Sequence, residues 1–126
     1  MTEAEQIQYL ANVYFVARSD AKVEGVEDKS IEQMAKDIGA GYFQTRKALD
    51  MASEADFKVV FPARLSERIR NMEDMLFVAG RDVKLEEVEK EIIVDFARKI
   101  GVNQKQVDII RRETRARLKK EIGKKA

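Results

Sequence analysis

The sequence contains no cysteine, histidine or tryptophan, and its only proline is Pro62. Without cysteine there is no disulfide and no thiolate nucleophile, and without histidine there is no imidazole base for a serine or cysteine triad. Zinc sites built from these two residue types are excluded as well. The sequence also lacks a glycine-rich phosphate-binding loop. These absences remove the commonest enzyme chemistries and favour a protein that binds rather than catalyses.

Long hydrophobic runs are missing too. No stretch approaches the roughly 18 apolar residues that a membrane-spanning helix needs, and the N-terminal sequence MTEAEQIQ has neither the basic nor the apolar part of a signal peptide. We therefore expect no membrane insertion and a cytoplasmic location. The 126 residues are 37% charged and 44% hydrophobic, which is typical of one soluble helical domain with its own core.

What the sequence does contain is a tandem repeat. The stretch FVARSDAKVEGVE at 15–27 returns as FVAGRDVKLEEVE at 77–89, an offset of 62 residues. Without gaps, 12 of 26 positions are identical between residues 14–39 and 76–101. Such self-similarity indicates two copies of one structural unit. We expect the two copies to share a core about a pseudo-twofold axis.

Apolar residues at spacings of three and four predict three helices in each copy. The first copy has helices at about 2–19, 26–38 and 41–53. The second has a helix that starts at Pro62, a helix at about 87–100, and a last helix that ends in GKKA. Capping boxes are expected at Thr2-x-x-Glu5 and Asn103-x-x-Gln106, and Gly39 and Gly101 are expected to end helices.

Residues 54–62 are expected to connect the copies. FKVVF alternates like a strand, but no other segment could pair with it, so at most one helical turn is expected there. The predicted fold is all-α: a single domain over 1–126, forming one compact bundle of six or seven helices. Repeat one covers about 2–53 and repeat two about 63–123.

The predicted inward positions form one stripe on each helix. In the first and second predicted helices the stripes are Ile7, Leu10, Ala11, Tyr14 and Phe15, and Ile31, Met34, Ala35 and Ile38. In the third and fourth they are Tyr42, Thr45, Leu49 and Ala52, and Leu65, Ile69, Met72, Leu76 and Ala79. The connector side chains Phe57, Val59, Val60 and Phe61 either cover the core or face a partner. Tyr42 and Phe43 would extend such a surface.

Each repeat places D-x-K-x-E-x-V-E between its first two helices. The carboxylates concerned are Asp20, Glu24, Glu27, Asp82, Glu86 and Glu89. Such hard oxygen ligands could hold Ca²⁺ or Mg²⁺. An EF-hand loop is excluded, because counting from Asp20 puts Lys22 at its third position and Ile31 at its twelfth. The alternative is structural: Asp20 accepts hydrogen bonds in its turn, and Glu27 favours the helix start.

With these motifs the chain resembles the tellurite-resistance TerB-like family, to which a domain of a DnaJ-like co-chaperone is also related. The resemblance rests on VARSDAKVEGVEDKSIEQMAKDIG and VAGRDVKLEEVEKEIIVDFARKIG. It implies an all-helical bacterial module associated with stress responses, which interacts with other proteins or binds metal rather than catalysing a reaction. Ala21 and Val83 depart from the family pattern, since glycine usually follows the aspartate. The same six carboxylates occupy the family's acidic positions.

The C-terminal segment is basic. Residues 104–126 carry nine Lys or Arg and three Asp or Glu, which gives a net charge of +6. Residues 1–103 carry fifteen Lys or Arg and twenty Asp or Glu, which gives a net charge of −5. A basic face could meet an acidic partner or phosphates, and it consists of Arg111, Arg112, Arg115, Lys119 and Lys120, with Arg117 nearby. Nucleic acid is disfavoured, because no aromatic side chain is available there for base stacking.

Three functions remain open from the sequence. The first is a non-catalytic TerB-like module that binds an unidentified protein partner, with no required cofactor and weak divalent-cation binding at the acidic turns as an option. The second is a carboxylate-metal enzyme in which both acidic turns converge on one site. The third is nucleic-acid binding through the C-terminal helix.

Overall fold

The computed structural model describes residues 1–18 and 29–80. It also describes part of the C-terminal region, namely residues 98, 103, 105, 106, 108, 109, 112, 113, 116, 117, 119 and 120. The helices α1, α2, α3 and α4 span Glu3–Arg18, Lys29–Asp37, Tyr42–Ala52 and Leu65–Gly80. Within these ranges there is no strand, so the all-α prediction is confirmed for the part of the chain that the structure describes. The predicted helix at 87–100 lies almost entirely outside the described residues.

Both predicted capping boxes are present. The Thr2 amide donates to Glu5 Oε1 at 2.9 Å, and the Glu5 amide donates to Thr2 Oγ1 at 3.1 Å. Asn103 and Gln106 exchange the same pair of bonds at 2.9 Å each. Each box supplies partners for backbone amides that precede the first helical hydrogen bond.

Helix α1 is the central element, because it packs against α2, α3 and α4. Four residues of the predicted stripe are buried and Phe15 is partly buried. Tyr9, Asn12 and Val16, which lie off that stripe, are buried as well. A helix with neighbours on three sides has little surface left for solvent, and it is therefore buried around most of its circumference. The prediction of a single inward face was too narrow for this helix.

Helix α2 ends at a glycine, as predicted. Gly39 has φ +79°, its amide donates to the Lys36 carbonyl at 3.0 Å, and the Ala40 amide donates to the Ala35 carbonyl at 2.8 Å. This pair of bonds is the Schellman motif, in which a left-handed residue satisfies the last carbonyls of a helix. Ile31, Met34 and Ala35 are buried.

Helix α3 buries a slightly different face from the predicted one. Thr45, Ala48 and Ala52 are buried, whereas Tyr42 is 71% exposed. Tyr42 is the first residue of the helix, so it extends beyond the contact with α1. Tyr42 is therefore not buried with Thr45 and Ala52, and its exposure agrees instead with the alternative that Tyr42 and Phe43 extend a surface.

The connector is not a strand, as predicted. The Phe57 amide donates to the Glu54 carbonyl at 3.1 Å, which closes one turn, and residues 57–62 then have no regular secondary structure. The Phe57 ring packs on Phe15 with 5.1 Å between centroids. The predicted helix start at Pro62 is wrong, because α4 begins at Leu65. Pro62 is buried, and its carbonyl accepts a bond from Arg68 Nε at 2.5 Å.

Helices α1 and α4 occupy corresponding positions of the sequence repeat. They begin at Glu3 and Leu65, and this difference equals the repeat offset of 62 residues. Their burial also corresponds, since buried residues fill most of 9–17 in one and 71–78 in the other. The described part of the chain contains no helix with the length and apolar character needed to cross a bilayer.

Candidate functional site

Four polar side chains lie buried between α1 and α4. Tyr9 and Asn12 come from α1, and Asn71 and Asp74 come from α4. The Tyr9 hydroxyl donates to Asp74 Oδ2 at 2.5 Å, and Asn12 Nδ2 donates to Asn71 Oδ1 at 2.9 Å. By the repeat offset, Asn71 corresponds to Tyr9 and Asp74 to Asn12. Each contact therefore joins position 9 of one copy to the counterpart of position 12 in the other copy. The two contacts are equivalent under the symmetry of the repeat.

Asp74 is the only carboxylate in this buried cluster. Its residue is 5% exposed, and burial raises its pKa, while the hydrogen bond from Tyr9 and the nearby Arg117 act in the opposite direction. Burial and the Asp74 charge together raise the pKa of Tyr9. The phenol therefore stays protonated, and it remains the donor in this pair.

Arg117 reaches this cluster from the C-terminal region. Its Nη1 lies 3.4 Å from Asp74 Oδ1, and its guanidinium lies 4.3 Å from the centroid of the Phe77 ring. Planar guanidinium groups stack favourably on aromatic faces. Arg117 thus packs against α4 and does not belong to a free basic face.

Asn12 also fixes the connector to α1. Its Nδ2 donates to the Val60 carbonyl at 2.8 Å, and its Oδ1 accepts from the Val60 amide at 3.3 Å. Gln8 Nε2 donates to Asn12 Oδ1 at 3.0 Å and lies 3.4 Å from the Lys58 carbonyl. Within the described residues the connector has no neighbouring strand. These side chains supply hydrogen-bond partners to its backbone instead.

A groove of about 340 Å³ lies between the first half of α1 and the end of the connector. Its lining residues are Ala4, Glu5, Gln8, Tyr9, Val60, Phe61, Pro62 and Ala63. The polar side chains among them are already engaged inside the protein: Glu5 by the Thr2 amide, Gln8 by Asn12, and Tyr9 by Asp74. The side chain of Val60 at this groove remains 55% exposed.

The six predicted metal ligands lie outside the described residues. They are Asp20, Glu24, Glu27, Asp82, Glu86 and Glu89, and the described ranges contain no other group of three or more potential metal-ligating side chains. Of the predicted basic face, Arg112, Lys119 and Lys120 are exposed, whereas Arg111 and Arg115 lie outside the described residues.

The connector and α3 account for the remaining predicted surface. Phe57, Val59 and Phe61 are partly buried against the core, whereas Val60, Tyr42 and Phe43 are exposed. Lys47 Nζ lies 4.5 Å from the centroid of the Phe43 ring. Three of the four connector side chains therefore cover the core, and Val60 is exposed; contact of Val60 with a partner stays a prediction.

The buried cluster of Tyr9, Asn12, Asn71 and Asp74 was not predicted. A signal for it exists, because Asn12 and Asp74 interrupt the apolar sequences YLANVYFVA and MEDMLFVA at the same repeat position. A polar residue at the same repeat position of two largely apolar stretches indicates a buried partner.

The part of the chain that the structure describes is all-helical, with a buried polar contact between two repeated helices. Comparisons with known proteins add no relative: no family model, no curated protein and no solved structure matches this chain.

Proposed function

We propose that this protein is a non-catalytic TerB-like helical module that binds a protein partner, in the setting of a bacterial stress response. The finer architecture belongs to this proposal: six or seven helices in two tandem repeats about a pseudo-twofold axis. The reciprocal contacts between α1 and α4 support that symmetry. The divalent-cation option at the two acidic turns also stays a proposal.

The groove between α1 and the connector carries the binding proposal. Its walls are mostly apolar, and its polar side chains have internal partners, so it offers little to a polar substrate. Sites for small molecules usually combine apolar walls with a few convergent polar groups. An apolar segment of a partner protein, inserting one or two side chains beside Val60, suits these walls better. The hydrogen bonds of Asn12 to Val60 hold one wall in place before binding.

Selection of short peptides from a random library tests this function. We expect enriched peptides to share closely spaced apolar residues, and we expect Val60→Arg to weaken their binding by about tenfold or more, because it places a charge at the centre of the contact. Isothermal titration calorimetry of the selected peptides against both proteins measures the difference.

Tyr42→Arg is the matched control, because Tyr42 is exposed but does not line the groove. Peptides that lose affinity for the Val60 variant and keep it for the Tyr42 variant support the proposal. A selection without enrichment, or peptides that bind the Val60 variant as well as the natural protein, would contradict it.

A further inference from the structure

Asp74 joins three parts of the chain through two different oxygens. Its backbone belongs to α4, its Oδ2 accepts from Tyr9 of α1 at 2.5 Å, and its Oδ1 lies 3.4 Å from Arg117 Nη1. The contact with Tyr9 is short and buried, whereas the contact with Arg117 is long. The Asp74 side chain is 7% exposed and that of Arg117 is 45% exposed. The two contacts therefore respond differently to a change in the charge of Asp74.

The contact with Tyr9 does not require a charge on Asp74. A neutral carboxyl group keeps an oxygen that accepts a hydrogen bond from a hydroxyl. The contact with Arg117 does depend on charge, because its attraction is mainly electrostatic at this length and exposure. Without that charge, Arg117 retains only its packing on the Phe77 ring at 4.3 Å.

We propose that protonation of Asp74 releases Arg117 and leaves the hydrogen bond to Tyr9 in place. Asp74 is thus a proton-sensitive clasp between α4 and the C-terminal region: ionised, it holds Arg117, and neutral, it does not. The core contact between α1 and α4 persists in both states. This device is distinct from the proposed peptide groove, since neither Asp74 nor Arg117 lines that groove, although Tyr9 belongs to both.

The charges around Asp74 come from each of the packed elements. Tyr9 is the titratable group from α1, and Arg117 comes from the C-terminal region. On α4 itself, Arg70 and Glu73 act on Asp74 or on Tyr9. Arg70 also lies 3.7 Å from Asp37 of α2. Burial raises the pKa of Asp74 and thereby moves its titration towards neutral pH.

Burial also raises the pKa of Glu73, with further contributions from Glu113 and Asp74. Glu73 is therefore the carboxylate that must be distinguished from Asp74 in any titration. Arg117 also lowers the pKa of Glu73 electrostatically, but its 3.4 Å contact is with Asp74 Oδ1, so neutralising Glu73 should leave the clasp intact.

Nuclear magnetic resonance of the full chain tests the clasp. The Asp74 carboxyl ¹³C shift and the Arg117 Nε–H exchange rate are followed over about pH 4–8, a range that brackets the titration of a raised carboxyl. We expect Arg117 exchange in the natural protein to be about two- to fivefold slower than in Asp74→Asn at high pH, as for a half-exposed ion pair. The difference should vanish at the pH where the Asp74 carboxyl titrates.

Two further variants keep the result interpretable. Glu73→Gln should retain the Arg117 transition, and Arg117→Gln should raise the midpoint of the Asp74 titration, because a neighbouring cation favours the carboxylate. The natural protein by itself also tests the proposal, because the midpoint of the change in Arg117 exchange should coincide with the midpoint of the Asp74 titration. Arg117 exchange that does not follow the Asp74 midpoint, or a transition that disappears in Glu73→Gln, would overturn the proposal.

Discussion

Asp74 shows how one buried carboxylate connects local chemistry to the stability of the whole fold. Removing a carboxylate from water disfavours its charged form, and among the described residues the Tyr9 hydroxyl, Arg117 and Arg70 offset that cost. The pKa of Asp74 is raised, so burial outweighs these three groups. The ionised side chain consequently holds Arg117 at a net cost to the folded state.

Asp74→Asn tests this balance through the pH dependence of stability. A carboxyl whose pKa is raised by folding contributes stability that is fully present below its unfolded pKa and is lost as pH rises through its folded pKa. The natural protein should therefore lose unfolding free energy relative to Asp74→Asn as pH rises from about 4 to about 7, a range that starts near the unfolded pKa. Urea unfolding at several pH values measures this difference. A difference that instead moves in favour of the natural protein would mean that the folded pKa is lowered.

Gly39 and Tyr9 mark the limits of prediction at the residue scale. The glycine was identified because a left-handed residue at a helix end has a strong local preference. Tyr9 was not identified, because its burial depends on α4, which lies more than fifty residues further along the chain. Local backbone preferences depend on short stretches of sequence, whereas the burial of a side chain depends on residues that are distant in the chain.

Helix α1 and the connector form the central unit at the scale of elements. The connector has no strand partner, and Asn12 supplies both a donor and an acceptor to the Val60 backbone. The same side chain donates to Asn71 on α4. One amide group thus ties together three elements that would otherwise leave polar groups unsatisfied.

Asn12→Ala should release the connector. The change leaves the Val60 backbone and Asn71 without this partner, and we expect a loss of about 2–4 kcal/mol in unfolding free energy. Hydrogen exchange at the Val60 amide should accelerate more than exchange in the middle of α1. Chemical denaturation and exchange measured by NMR check both expectations.

Gln33→Ala is the matched control, because it removes an amide that bonds Asp37 on the exposed surface of α2. We expect its effect to stay within about 0.5 kcal/mol. If Asn12→Ala is equally mild, or if the Val60 amide keeps its protection, then the connector is held by its apolar contacts instead.

At the scale of the whole molecule, the sequence repeat is visible in the described helices α1 and α4. The two helices start at corresponding positions, and each of their polar contacts joins position 9 of one copy to the counterpart of position 12 in the other. The copies have nevertheless diverged at these positions, from Tyr9 and Asn12 to Asn71 and Asp74. Because of this divergence, the interface between α1 and α4 carries a carboxylate, Asp74, on the α4 side only. Arg117 packs against that side.

The repeat also predicts that the two acidic turns behave alike. If each aspartate accepts hydrogen bonds from turn amides, as the sequence predicts, Asp20→Ala and Asp82→Ala should each lower the unfolding free energy by about 1 kcal/mol, and neither should abolish the binding of divalent cations. Thermal unfolding and calorimetric titration with Ca²⁺, Mg²⁺ and Mn²⁺ measure the two effects. Asp56→Ala, at an exposed connector carboxylate, is the control. Unchanged unfolding with loss of cation binding would instead assign these residues to a metal site.

The sequence alone determined the helical class, both capping boxes, the glycine at the end of α2 and the equivalence of α1 and α4. These features depend on short-range backbone hydrogen bonding and on periodicity, which residues a few positions apart specify. Tertiary structure alone decided that α1 is buried on three sides, that helix α4 starts after Pro62 and that Asp74 meets Tyr9 and Arg117. Those outcomes require helices from distant parts of the chain to pack together, and only that packing determines which polar side chains leave water and which partners they find.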